Sequence, residues 1–177
     1  MSTEAAPGAE RREGRETGTD EPPLVDSDDA RWVAFIRADD HTGTLAALAG
    51  VFATRGVSFD SLSTCEVPDD TGLVNVTFRT GERRQRMLAR IVERLPMVRG
   101  VVVRRADDLG VRAAAVVHLP VGVGFAPPGH TAVRWSGETS RGEPLLVEGS
   151  LVDVEDVVAA ARAAGATRAA IVVQPPG

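Results

Sequence analysis

The chain has 177 residues, 43% of them hydrophobic, with three histidines, one cysteine and neither lysine nor tyrosine. That length suits one domain or two small ones, and the apolar fraction suffices for a core. The missing residue types exclude Schiff-base and phosphate-loop lysines, an internal disulfide and a cysteine metal cluster. The net charge of −5 is unevenly spread: residues 1–30 hold nine acids against three arginines, leaving 17 arginines and 16 acids in the rest. A nearly neutral remainder argues against a non-specific nucleic-acid binder. No apolar run approaches the ~20 residues of a membrane span, and the N-terminus lacks the pattern of a signal peptide, so the expected location is cytoplasmic.

Residues 1–30 are rich in Glu, Asp, Gly, Pro, Ser and Thr, a composition that predicts a disordered acidic arm. Residues 31–105 then follow the order β-α-β-β-α-β. The apolar run Trp32 to Ile36 centres a first strand, Arg31 to Arg37. A polar loop, Ala38-Asp39-Asp40-His41-Thr42-Gly43, leads into a helix from about Gly43 to Arg55. Leu45, Leu48, Ala49 and Phe52 recur at i, i+3, i+4 and i+7 and form its apolar face, and Gly56 stands where a left-handed C-cap falls. A second strand runs from about Ser58 to Val67, with Cys65 in mid-strand and expected to be buried. Pro68 to Gly72 is a turn cluster, followed by a strand from Leu73 to Arg79 with Val74, Val76 and Phe78 on one face. The second helix opens at Thr80-Gly81-Glu82, turns Met87, Leu88, Ile91, Val92 and Leu95 to the core, and ends at Pro96. Arg83, Arg86, Arg90 and Arg94 form a solvated face. Val98 to Arg104 is the fourth strand. This order predicts a ferredoxin-like α+β domain, four antiparallel strands with both helices on one face. The other face would be bare in a monomer, which predicts pairing between chains.

Residues 106–177 repeat the idea in degenerate form. Val111 to Leu119 is a strand, and Pro120 to Gly129, with three glycines and three prolines, is a loop where the first copy has a helix. Thr131 to Trp135 and Pro144 to Glu148 form a hairpin. Asp153 caps a helix whose stripe is Val154, Val157, Val158 and Ala161, and Thr167 to Val173 is the last strand.

The loop before the first helix is the most chemically specific stretch. A helix start offers unpaired N–H groups and a partial positive charge, so it can hold a small anion such as a carboxylate. Gly43 either contacts that ligand or only permits a turn. Asp39 and Asp40 are solvated loop acids or, in the functional reading, receive a ligand ammonium. His41, His118 and His130 show no metal-binding spacing, and Gly122-Val123-Gly124 lacks the G-x-x-x-x-G-K of a phosphate loop. No catalytic residue, metal set or cofactor is indicated.

The text Asp39-Asp40-His41-Thr42-Gly43-Thr44-Leu45, then Val51-Phe52-Ala53-Thr54-Arg55-Gly56, then Phe59-Asp60-Ser61-Leu62, resembles an ACT domain, and most of all the regulatory small subunit of acetolactate synthase. The resemblance covers residues 31–105, with 106–177 matching that subunit's second, ferredoxin-like half in outline. It implies a non-catalytic regulatory protein of branched-chain amino acid biosynthesis. Its effector would be an amino acid, valine-like, held at a homodimer interface. Its catalytic partner would be a thiamine-diphosphate-dependent enzyme, and neither nucleic acid nor membrane is implied. The ligand-binding positions carried over are Asp39, Asp40, His41, Thr42, Gly43, Thr44, Leu45, Ser58 and Asp60. The family usually has asparagine where Asp40 and Ser58 stand. Two alternatives follow: a stand-alone dimerisation module without ligand, or a sensor for another amino-acid-related enzyme.

Overall fold

The computed structural model describes residues 29–67 and 71–175. The predicted arm therefore lies outside the described residues up to position 28, as do residues 68–70 of the turn cluster. The strands are β1 (Ala30–Asp39), β2 (Phe59–Val67), β3 (Thr71–Thr80), β4 (Val98–Arg105), β5 (Arg112–His118), β6 (Arg134–Ser136), β7 (Leu145–Ser150) and β8 (Arg168–Val173). The α-helices are α1 (Thr44–Ala53), α2 (Glu82–Glu93) and α3 (Leu151–Ala163). They build two four-stranded antiparallel sheets, ordered β2-β3-β1-β4 and β6-β7-β5-β8. The two orders match position for position. The second unit is thus a copy of the first in which the connection after its first strand holds no α-helix.

β1 is central and buried on both faces. Trp32, Ala34 and Ile36 point to one core with Leu48 and Phe52 of α1, Leu88 and Val92 of α2, and Val74, Val76 and Phe78 of β3. Phe52 meets Phe59 and Phe78 edge-on, at centroid distances of 4.8 and 5.2 Å. Val33 and Phe35, with Leu73 of β3, point the other way, into a second cluster with β5, β7, α3 and Val173. The face expected to be bare is therefore covered within the chain. Asn75, also on that face and 3% exposed, donates to the Val173 carbonyl at 2.9 Å. Arg31 donates from Nη1 to both carboxylate oxygens of Glu155 on α3, each at 2.6 Å. These contacts join the two units, so the face of the first sheet that was expected to be bare is buried within one chain and gives no reason for chains to pair.

Several local expectations are corrected. Leu45 is 44% and Met87 43% exposed, whereas Thr44 and Gln85 are buried, so both helices are rotated relative to the predicted apolar stripes. Cys65 is exposed because β2 is an edge strand. The cap of α3 is Ser150, not Asp153. The Ser150 hydroxyl accepts from the Asp153 amide at 3.2 Å and donates to the Asp153 carboxylate at 2.6 Å, which places Asp153 inside the first turn. The turn after α1 closes as foreseen. Gly56 has φ +65°, its amide donates to Ala53 and that of Val57 donates to Phe52, the pattern of a Schellman motif.

Asn75 gives a direct test of the contact between the units. Asn75→Ala removes the donor to Val173 but also removes Asn75 Oδ1, which is buried without a hydrogen bond. The net loss should be about 1–2 kcal/mol, or roughly 2–4 °C in Tm per kcal/mol for a chain of this size. A thermal melt of Asn75→Ala that overlays the native one would show that this bond adds nothing.

Candidate functional site

The loop from β1 to α1 forms the floor of a cleft of about 570 Å³. Its lining is continuous from Ala38 through Leu45, joined by Thr64 and Cys65 of β2 and Gly72, Leu73 and Val74 of β3. Seven of the nine expected residues, Asp39, Asp40, His41, Thr42, Gly43, Thr44 and Leu45, therefore line one cavity. The other two do not. Ser58 is exposed ahead of β2, and Asp60 lies five residues from Cys65, roughly 16 Å along the strand. The β2–β3 register shifts between Phe59 and Ser61. Asp60 sits in that irregularity, and its carboxylate lies 3.3 Å from Arg31 Nε and 3.5 Å from Arg79 Nε. A bulge re-aims a side chain in this way, so Asp60 serves the ion network around Arg31 and not the cleft.

Gly43 caps α1 with φ +98° and ψ −12°, and no side chain bonds to the helix start. A Cβ built on Gly43 would meet nothing within 4 Å, so glycine is there for its backbone angle and not for want of room. The Thr44 hydroxyl donates to the Asp39 carbonyl at 3.0 Å and the Thr44 amide to the His41 carbonyl at 3.1 Å, which pins the turn. The first turn of α1 holds no acid, whereas α2 has Glu82 and α3 has Asp153 in theirs. Of these three helices, α1 alone has a start that neither a hydroxyl cap nor a carboxylate compensates. The start of α1 is part of the cleft lining, and the positive end of its dipole is not offset by a side chain. Leu45, half exposed, gives the same cavity an apolar wall.

The two acids of the loop differ. Asp39 is held by Arg99 in a two-pronged pair, Nε to Oδ1 at 2.7 Å and Nη2 to Oδ2 at 2.9 Å. The hydrogen bonds from Arg99 hold the Asp39 carboxyl below its usual value, and the Arg99 guanidinium is correspondingly raised. Asp40 is exposed, next in the chain, and lines the cleft. Asp40 is thus the carboxylate left to meet a cation. Sequence reasoning missed Arg99, because that contact depends on β4 lying beside β1, with Ala38 opposite Val98. It also missed Thr64, Cys65 and Gly72, which the β2–β3 register brings to the cleft.

Among the described residues, no three of His, Cys, Asp or Glu are gathered as metal ligands would be, and no helix is long and apolar enough to cross a membrane.

No family model matches the chain, and no curated protein does. Among solved structures, the fold is similar to that of the acetolactate synthase small subunit from Thermotoga maritima. That match has 16% identity over 81% of this chain and 96% of that one, with a TM-score of 0.57. The regulatory subunit of aspartate kinase from Thermus thermophilus matches at 17% identity over 78% of this chain and 95% of that one, with a TM-score of 0.45. The first likeness shows that this chain shares the two-sheet α+β fold of that small subunit.

The Asp39–Arg99 pair makes a pH prediction. A carboxyl with a lowered folded value contributes stability above its unfolded value, near 3.8, and loses it as pH falls through the folded value. Arg99→Gln should raise the Asp39 titration midpoint toward 3.8 and remove that part of the acid-side fall in stability. NMR titration of the Asp39 carboxyl carbon reads this directly. An unmoved midpoint in Arg99→Gln would show that Arg99 is not the cause.

Proposed function

We propose that this protein is a non-catalytic, amino-acid-binding regulatory protein of the acetolactate synthase small-subunit kind, acting in feedback control of branched-chain amino acid biosynthesis. The observation that carries this reading is the cleft at the uncompensated start of α1. A ligand carboxylate would sit on the first amides of α1, its ammonium would meet Asp40, and its aliphatic side chain would lie against Leu45. Those three elements match the three parts of a small apolar amino acid. Thr64 and Cys65 place the edge strand β2 at the same cleft. A second copy approaching along β2 would close the mouth over the ligand and make the homodimer the binding unit. Ligand bridging two chains would stabilise one assembly over another and so change a partner's activity. The partner in this reading is a thiamine-diphosphate-dependent catalytic subunit in the cytoplasm.

A second reading is a stand-alone dimerisation module. The specific observation in its favour is Asp39, whose carboxylate is already satisfied by Arg99 and has no need of a ligand cation.

Calorimetric titration of valine, leucine and isoleucine, then the other amino acids, separates the two. The native protein should bind one of them, and Gly43→Asp should lose that binding by adding a negative charge at the anion site. Gly43→Asn is the control. It tolerates a positive φ as well as Asp does and adds similar bulk without charge. The expected order is native tightest, Gly43→Asn intermediate, Gly43→Asp undetectable. No heat from any amino acid with the native protein ends the sensor reading, and equal binding by all three proteins moves the site elsewhere.

A further inference from the structure

The outer face of α2 carries a row of like charges. Arg83, Arg86, Arg90 and Arg94 stand at i, i+3, i+7 and i+11, which keeps them on one side of the helix, and all four are exposed. Gln85, Leu88 and Val92 face inward. Of the four arginines, Arg86 pairs with Glu82. Among the described residues, Arg83, Arg90 and Arg94 have no carboxylate within ion-pair range. Like charges at this spacing repel and destabilise a helix. The row therefore favours an anionic partner laid along it.

The chain holds such a partner at a suitable place. Residues 1–28 carry eight acids and three arginines. They join the described structure at Asp29 and Ala30, and Ala30 pairs with Thr80 in the β1–β3 ladder. Thr80 lies two residues before the first residue of α2, so the acidic segment enters the fold beside the start of the arginine row. The 12 residues of α2 span about 18 Å, and 28 residues of chain can extend several times that far. The tether gives the acidic segment a high local concentration at the row.

We propose that residues 1–28 dock by charge over the Arg83–Arg94 face of α2. The contact is with a row of solvent-facing guanidinium groups, so it is salt-sensitive and does not require the segment to adopt one conformation. It also leaves the cleft at α1 free, and holds whether or not an amino acid binds there.

Paramagnetic relaxation in the full-length chain tests this. A nitroxide on Thr17→Cys, in a Cys65→Ser background, should broaden the amides of Arg83 to Arg94 several-fold more than those of α1, α3 or the sheets. The effect should vanish at about 0.5 M salt, where the screening length falls to roughly 4 Å. It should also vanish in the triple variant Arg83→Glu, Arg90→Glu, Arg94→Glu, whose changes lie on an exposed helix face and leave the core untouched. The native amide spectrum outside α2 checks that this variant folds. Three results overturn the proposal: broadening spread evenly over the surface, broadening that survives the triple substitution, or broadening centred on the cavity between His118, Arg162 and Arg168.

Discussion

β1 cannot be satisfied by one layer of cover, and the rest of the molecule answers that constraint. Its sequence Trp32-Val33-Ala34-Phe35-Ile36 is apolar without alternation, and all five side chains are buried. A half-exposed strand would alternate apolar and polar residues. Here α1 and α2 cover Trp32, Ala34 and Ile36, while the second unit covers Val33 and Phe35. Fully burying a Val or Phe side chain is worth about 1.5–3 kcal/mol each. Exposing Val33, Phe35 and Leu73 together would cost a large part of a typical domain's stability. The second unit is accordingly structural support for the first, whatever else it does.

That run in β1 already contained the information that both faces are covered. Taken as a continuous apolar segment it points to two-sided burial, and only the assumption of a free-standing ferredoxin-like domain made the second face look bare. Element order and most element positions were legible for the usual reason, that periods of 2 and 3.6 reflect which side of an element meets a core. The errors came where the period was read without the neighbour. Leu45 and Met87 belong to the predicted stripes, but the buried faces are turned toward Thr44 and Gln85, which leaves both large side chains at the exposed margin. Cys65 would be buried in a central strand, but β2 is at an edge. Ser150 and Asp153 have the same cap chemistry, and the backbone geometry at the helix start decides between them.

In the cleft, what could be read in the sequence was the local part. Positions 39–45 are contiguous, so one turn brings them together, and the glycine with positive φ at Gly43 is the residue that such a turn requires. What escaped was every contact set by pairing between distant segments. Arg99 reaches Asp39 across 60 residues of sequence. Asp60 is diverted to Arg31 and Arg79 by a shift in register. Both contacts change the electrostatics of the loop. The first neutralises one of two adjacent acids, and the second keeps a third carboxylate away. A helix start flanked by three free carboxylates would repel an anion. With Asp39 paired and Asp60 distant, Asp40 is, among the described residues, the unpaired acid of this loop that lines the cleft.

The internal repeat also explains why, among the described residues, the two units differ at their helix starts. In the first unit the strand β1 runs directly into a helix whose start is left uncompensated. In the second unit the corresponding strand, β5, runs into the loop after Leu119, with no α-helix before β6 and hence no helix start to present. The helix that the second unit does keep, α3, begins at Ser150 with a hydroxyl cap and carries Asp153 in its first turn. Its partial positive charge is consumed inside the fold, and its apolar side, Leu151, Val154, Val157, Val158 and Ala161, is buried in the cluster that covers β1. Two copies of one topology have thus diverged by what happens at a helix N-terminus. One is closed by its own side chains, and its helix is committed to packing. The other is held open by a glycine, beside an arginine that pairs one of the two loop acids.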